Sequence, residues 1–288
     1  MIVLQSAVAG ALAGGLFALM AIGVSLGWGL LRVINLAHFA MILSSAYLTY
    51  ELATRLRVDP VLTIVVTVPL MFVLAVALQW LFQVSRISEF NSLLVSFGLL
   101  IVASQVISNV WSADFRRIDP TINPYATQSV SVGPLVFPAP SLMAFVAAAG
   151  IVVIAHIVLR RTFPGRALRA FAQDPEMAAA FGIDHRRLAL LTSGAAGATA
   201  AVAGMLFALG SALTPGAAFE WVGIVFAVVI LGGIGNVVGT FAAGAIVLML
   251  AGVVSILWSP ATAPFVVFAT IILALIFRPR GLFARTGG

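Results

Sequence analysis

The chain has 288 residues, of which 62% are apolar and 8% charged, with a formal net charge of +6 that comes from 15 arginines and no lysine. Without cysteine there is neither a disulfide framework nor thiol catalysis, and without lysine there is no phosphate-binding GKS or GKT loop. Uncharged runs of 18 or more residues can each cross a hydrocarbon core of about 30 Å as a helix, so the expected class is an all-α polytopic membrane protein forming a single domain over 1–288.

The apolar runs predict about 8–9 transmembrane or partly re-entrant helices, at 7–27, 33–50, 61–82, 91–110, 141–159, 188–210, 222–234, 239–257 and 263–277. The first arginine is Arg32, so a signal peptide is not expected at the start. Alternating segments with the N-terminus outside place Arg32, Arg86, the 160–187 loop, Arg278, Arg280 and Arg285 together on the cytoplasmic side. Arg55 and Arg57 fall outside in this count, offset by Glu51 and Asp59, and a miscounted early segment would also explain them. Basic residues in short loops orient a membrane protein and give little reason to expect nucleic acid.

Asn35 and His38 are three apart and are expected on one helix face, as an interhelical hydrogen-bonding pair or as a substrate or gating contact. The 111–140 loop carries five prolines, and its Gln128 to Val132 run alternates like a short strand before Gly133-Pro134 turns the chain. This extracytoplasmic loop is either a connector or a contact for an external partner. The 160–187 loop is different in kind, since it holds six of the arginines with Asp174, Glu176 and Asp184. Ala167 to Ala172 can form a short turn or helix, and Asp174 can cap a second one that starts at Pro175 and stops at Gly182. Such an element on the cytoplasmic side suits docking of a soluble partner.

Gly10 and Gly14, Gly23 and Gly27, and Gly235 and Gly239 are each four apart, which allows close helix packing. Gly232, Gly233 and Gly235 crowd one short span before Asn236 and predict an interrupted helix or re-entrant turn, serving as a hinge or lining a pathway. All nine acidic residues can be assigned to loops or segment ends, which counts against proton coupling while leaving sodium coupling through carbonyls and hydroxyls open. His38, His156 and His185 are dispersed and make no metal site. No catalytic constellation can be nominated.

The chain resembles the LivH-like permeases of ATP-binding-cassette importers for branched-chain amino acids. The likeness is carried by Gly15 to Gly23, by Val33-Ile34-Asn35-Leu36-Ala37-His38, by Gly165-Arg166-Ala167-Leu168-Arg169-Ala170 with Asp174-Pro175 and Gly182-Ile183-Asp184, by Ala203-Gly204, by Gly232 to Gly239 and by Arg278 to Phe283. It implies a bacterial inner-membrane complex with a cytoplasmic C-terminus: this permease, a LivM-like second permease, two cytoplasmic ATPases that bind ATP and Mg, and an extracytoplasmic substrate-binding protein. It assigns coupling to Gly165, Arg166, Arg169, Asp174, Pro175, Ala179, Gly182 and Asp184, while Asn35, His38, Gly232, Gly233, Gly235 and Asn236 stand, from the residue reading above, as candidates for the translocation path or gate. After His38 the family commonly has glycine and then an acidic or small polar residue, where this chain has Phe39-Ala40. Urea, short amides and aromatic carboxylates are substrates of other relatives, and a gated channel for a small neutral solute is the alternative from a different class.

Overall fold

Apolar runs in lipid must satisfy their backbone groups internally, which they do as helices. The computed structural model describes residues 1–278 and 281–283; Arg280 and Arg285 lie outside them. In chain order the helices are α1 (Ile2–Leu31), α2 (Ala37–Leu56), α3 (Ile64–Val84, entered through a 3-10 turn at Pro60–Thr63), α4 (Glu89–Trp111), α5 (Ala139–Arg161), α6 (Phe163–Gln173), α7 (Pro175–Ala180), α8 (His185–Gly210), α9 (Ala217–Gly232), α10 (Val237–Leu257) and α11 (Ala263–Phe277). Six of these are long and apolar enough to cross a membrane: α1, α3 with its entry turn, α4, α5, α8 and α10. The helices α9 and α11 are shorter and apolar. The ninth expected segment is α2, whose 20 residues include buried His38, Ser45 and Thr49 because it lies inside the bundle.

The long helices cross the bundle in alternating directions, as the contacts of Trp28 with Glu89, Gln83 with Arg186 and Trp111 with Glu51 require. Arg32, Arg86, Arg160, Arg161, Arg166, Arg169, Arg186, Arg187 and Arg278 therefore gather at one end, whereas Arg55, Arg57, Arg116 and Arg117 share the other with Glu51, Asp59, Asp114 and Asp119. The four early segments are present as α1 to α4, with α2 outside the set long and apolar enough to cross. Arg55 pairs with Glu51, one helical turn away.

The helix α1 packs along α10 through small residues. A Cβ on Gly14 would overlap the Gly244 carbonyl and lie 2.8 Å from Ala245 Cα, and one on Gly10 would lie 3.0 Å from Met249 Cα, so this pair does bring two backbones together. Gly23 and Gly27 do not act as a second such pair. Gly23 makes room for the His38 ring, whereas a Cβ on Gly27 would meet only the Val33 carbonyl oxygen at 3.5 Å.

The 111–140 segment lies over the end opposite the arginine-rich one. Strands β1 (Ser129–Val132) and β2 (Leu135–Pro138) pair antiparallel across Gly133-Pro134, with Gly133 at φ 60, which adds one hairpin to an otherwise helical fold. Arg116 pairs with Leu213 in an isolated bridge, Asn123 Nδ2 donates to the Leu209 carbonyl at 2.8 Å, and the Tyr125 hydroxyl donates to Asp59 at 3.0 Å. The Thr121 amide and hydroxyl both donate to Asp119 and hold its carboxyl below the usual carboxylate range. This segment is an ordered cap.

Candidate functional site

At the arginine-rich end, Thr162 begins α6 by accepting from the Gly165 amide at 3.2 Å, with Pro164 in the first turn. The helix is longer than the Ala167 to Ala172 turn expected, because this cap lies five residues upstream of the alanines. Gly165 lets α6 lie directly on α5, where a Cβ would sit 2.5 Å from Leu159 Cα. Asp174 caps α7 as expected, accepting from the Glu176 and Met177 amides at 3.1 and 3.0 Å, and Pro175 is its first residue. Gly182, at φ 76, then reverses the chain. Asp184 caps α8 by accepting from the Arg187 amide and forms an ion pair with the Arg187 side chain at 3.0 Å. Phe171 stacks on His185 with ring centroids 4.2 Å apart, which ties α6 to the start of α8.

The two short helices present different faces. On α7, Met177, Ala179 and the following Phe181 are exposed. On α6, Arg166 and Arg169 turn with Arg160 of α5 toward a cavity of about 1220 Å³, and Arg169 Nε is buried without a hydrogen-bond partner. Gly29 of α1, His156, Gly233, Gly235 and Asn236 line the same space. Residues expected at a coupling surface and residues expected at a gate thus meet around one cavity.

The glycine-rich element is a tight turn between α9 and α10. Gly233 and Gly235 adopt φ 85 and 80, and Asn236 caps α10 by accepting from the Gly239 amide at 3.1 Å. Gly235 is therefore in the turn and Gly239 in α10, so their spacing of four does not place them on one helical face. Gly235 abuts Gly29, where a Cβ would come 3.2 Å from Gly29 Cα, and its amide donates to Ser25 Oγ at 3.1 Å. Gly232 packs on the first turn of α10, 2.5 Å from Thr240 Cα for an added Cβ.

Asn35 and His38 do not share a helix face, because α2 begins at Ala37 and residues 33–36 are non-helical. This stretch turns back into the bundle against α4. The Ile34 and Leu36 amides donate to Ser92 Oγ and Ser96 Oγ at 3.3 and 2.9 Å, and Ser96 Oγ donates to the Ile34 carbonyl at 3.2 Å. Non-helical backbone at this depth is tolerated where protein satisfies it. Ser92 and Ser96, one turn apart on α4, are the sequence signal for this contact. Asn35 Oδ1 is buried without a partner. His38 is 3% exposed, and its Nε2 donates to the Met20 carbonyl oxygen at 3.1 Å beside Gly23 and Thr199.

His38→Ala is expected to cost about 1 kcal/mol of stability by removing that bond, seen as a lower melting temperature in detergent. Asn35→Ala, which breaks no side-chain bond at Oδ1, should cost less. If either variant assembles normally and loses far more substrate uptake than this, it contacts the path or the gate. Unchanged uptake across a full substrate titration removes both from it.

Among the described residues, no group of three or more His, Cys, Asp or Glu side chains could hold a metal ion. No solved structure matches the chain significantly. Curated relatives do: the high-affinity branched-chain amino acid transport system permease protein BraD of Pseudomonas aeruginosa is 26% identical, with 98% of this chain and 96% of BraD covered. The permease proteins named LivH in Escherichia coli K12 and Salmonella typhimurium are also 26% identical, with the same coverage. The sequence profile described as "Branched-chain amino acid transport system / permease component" matches residues 6–275, so this multi-pass membrane protein belongs to that family of transport permeases.

Proposed function

We propose that the chain is the permease subunit of an ATP-driven importer for branched-chain or other hydrophobic amino acids, working by alternating access. Membership of the permease family over residues 6–275 carries this reading. In it, a LivM-like second permease completes the path, an extracytoplasmic binding protein delivers substrate, and two cytoplasmic ATPases bind ATP and Mg. The permease itself catalyses no reaction.

The excess of arginine assigns the α6–α7 end to the cytoplasm by the positive-inside rule. The C-terminus follows on the same side, and the 111–140 cap faces the binding protein. Exposed Met177, Ala179 and Phe181 give α7 an apolar face suited to docking on an ATPase. Closure of the ATPases would displace α7 and, through α6 and its close contact at Gly165, the end of α5.

The chain contains no cysteine, so single cysteines at positions 177, 179 and 180 are clean crosslinking probes. They are expected to crosslink to an ATPase subunit in the assembled importer. Ala179→Trp should sharply reduce transport-coupled ATP hydrolysis while membrane insertion is retained, because a bulky ring would stand in the interface. Probes that reach only lipid or the binding protein would sink the coupling assignment. Identification of the ligand held by the binding protein separates amino acids from urea, amides and aromatic carboxylates.

A further inference from the structure

The arginine-lined cavity adjoins a second space of unlike chemistry. A groove of about 320 Å³ runs between α1, α5, α6 and α8, and Leu30 and Leu159 stand in the walls of both spaces. The groove is lined by aliphatic side chains such as Ile22, Ile154 and Leu191, with Thr192 and Thr199 its only hydroxyl-bearing residues among the described residues. From Leu30 to Ile22 it descends about 12 Å along α1, most of the depth of one leaflet of about 15 Å. The upper cavity is its electrostatic opposite. Arg160, Arg166 and Arg169 line it, no carboxylate does, and none of these three is ion-paired among the described residues.

Positive charge at the bilayer interface above an aliphatic slot of one leaflet's depth matches a molecule with an anionic head and a hydrocarbon tail. A basic pocket between helices is the usual form of an anionic-headgroup site. We propose that this composite site holds one anionic phospholipid of the leaflet at the arginine-rich end, its phosphate against Arg160, Arg166 and Arg169 and an acyl chain in the groove below. The guanidinium groups supply paired N–H donors to phosphate oxygens, and the buried, unpartnered Nε of Arg169 gains an acceptor. The lipid would lie beside the 233–236 turn, where it would help to set the resting position of α6. A free phosphate shares the head chemistry and lacks the tail, which lets experiment separate the two.

The test uses the purified full-length chain in detergent, stripped of lipid and titrated with phosphatidylglycerol or with zwitterionic phosphatidylcholine, with bound lipid counted by native mass spectrometry. The wild type is expected to prefer phosphatidylglycerol. R166Q/R169Q should weaken that binding on the order of tenfold or more, at about 1 kcal/mol per arginine, whereas Arg187→Gln, at an exposed arginine paired with Asp184, should leave it unchanged. Ala195→Phe, an exposed α8 residue lining the groove, should weaken it too by filling the slot. Inorganic phosphate at millimolar concentration should not compete. Equal binding of the two lipids overturns the proposal, as does competition by phosphate together with indifference to Ala195→Phe, which would identify a free anion. Loss of the lipid when the ATPases assemble would assign the arginines to a protein partner and overturn it equally. Retained lipid is read without any transport measurement, so failure here leaves the importer reading standing.

Discussion

Gly14→Leu is expected to prevent stable assembly of the bundle, whereas Gly98→Leu leaves it intact. At Gly14 the first added carbon would overlap the Gly244 carbonyl and approach Ala245 Cα to 2.8 Å, and both obstacles are backbone. Neither can rotate away, so α1 and α10 must separate along their length. Overpacking of this kind costs about 1 to 3 kcal/mol where side chains can adjust, and more where only backbone can yield. Gly98 on α4 has nothing within 4 Å of an added Cβ, which makes it the control for inserting a leucine into a membrane helix. Thermal unfolding in detergent, with membrane yield measured in parallel, compares the two. Equal melting temperatures would show that the α1–α10 contact is looser than these backbone distances allow.

Gly233→Leu is expected to abolish most substrate uptake, well beyond the effect of Gly210→Leu. Gly233 sits at φ 85 and ψ 121, a conformation that costs an L-residue about 1 to 3 kcal/mol, and it lines the cavity between α6 and α10. Gly210 ends α8 in a helical conformation, where an added Cβ would lie 3.1 Å from Pro140 Cβ, a side-chain atom. Strain and blockage therefore combine at Gly233 and not at Gly210. The comparison requires equal amounts of both variants in the membrane. Cysteine accessibility over 231–239, in nucleotide-free and ATP-trapped complexes, supplies the second readout. Accessibility that never changes between the two states removes this turn from the moving parts, even if uptake falls.

Local signals were legible in the sequence and distant ones were not. Asp174-Pro175 and Gly182 announce α7 because cap, first turn and stop lie within nine residues, and Gly133-Pro134 announces its hairpin for the same reason. Residues 33–36 look apolar and helix-compatible, which sets the expected start of α2 too early; what holds them out of the helix is a pair of serines on α4, some sixty residues away. Gly235 and Gly239 misled because a spacing of four implies a shared face only in a continuous helix, and the caps at Gly233 and Asn236 divide it. The cavity was beyond reach altogether. Its walls come from α1, α5, α6 and the 233–236 turn, and no periodicity links those stretches.

The seam between α1 and α10 has a mechanical consequence. Ser6 Oγ donates to the Gly252 carbonyl at 2.6 Å near one face of the membrane, while the Gly235 amide bonds Ser25 toward the other. Between these anchors Gly10 and Gly14 leave no clearance. Two helices tied at both ends and touching between them resist sliding past one another and are expected to tilt as one beam. A push on the turn at the arginine-rich end is then delivered, with little loss, to the far end of the beam. Gln5 exchanges hydrogen bonds there with Val136 of the β-hairpin, so a displacement begun beneath one membrane face would arrive at the cap on the opposite face without any helix having to bend.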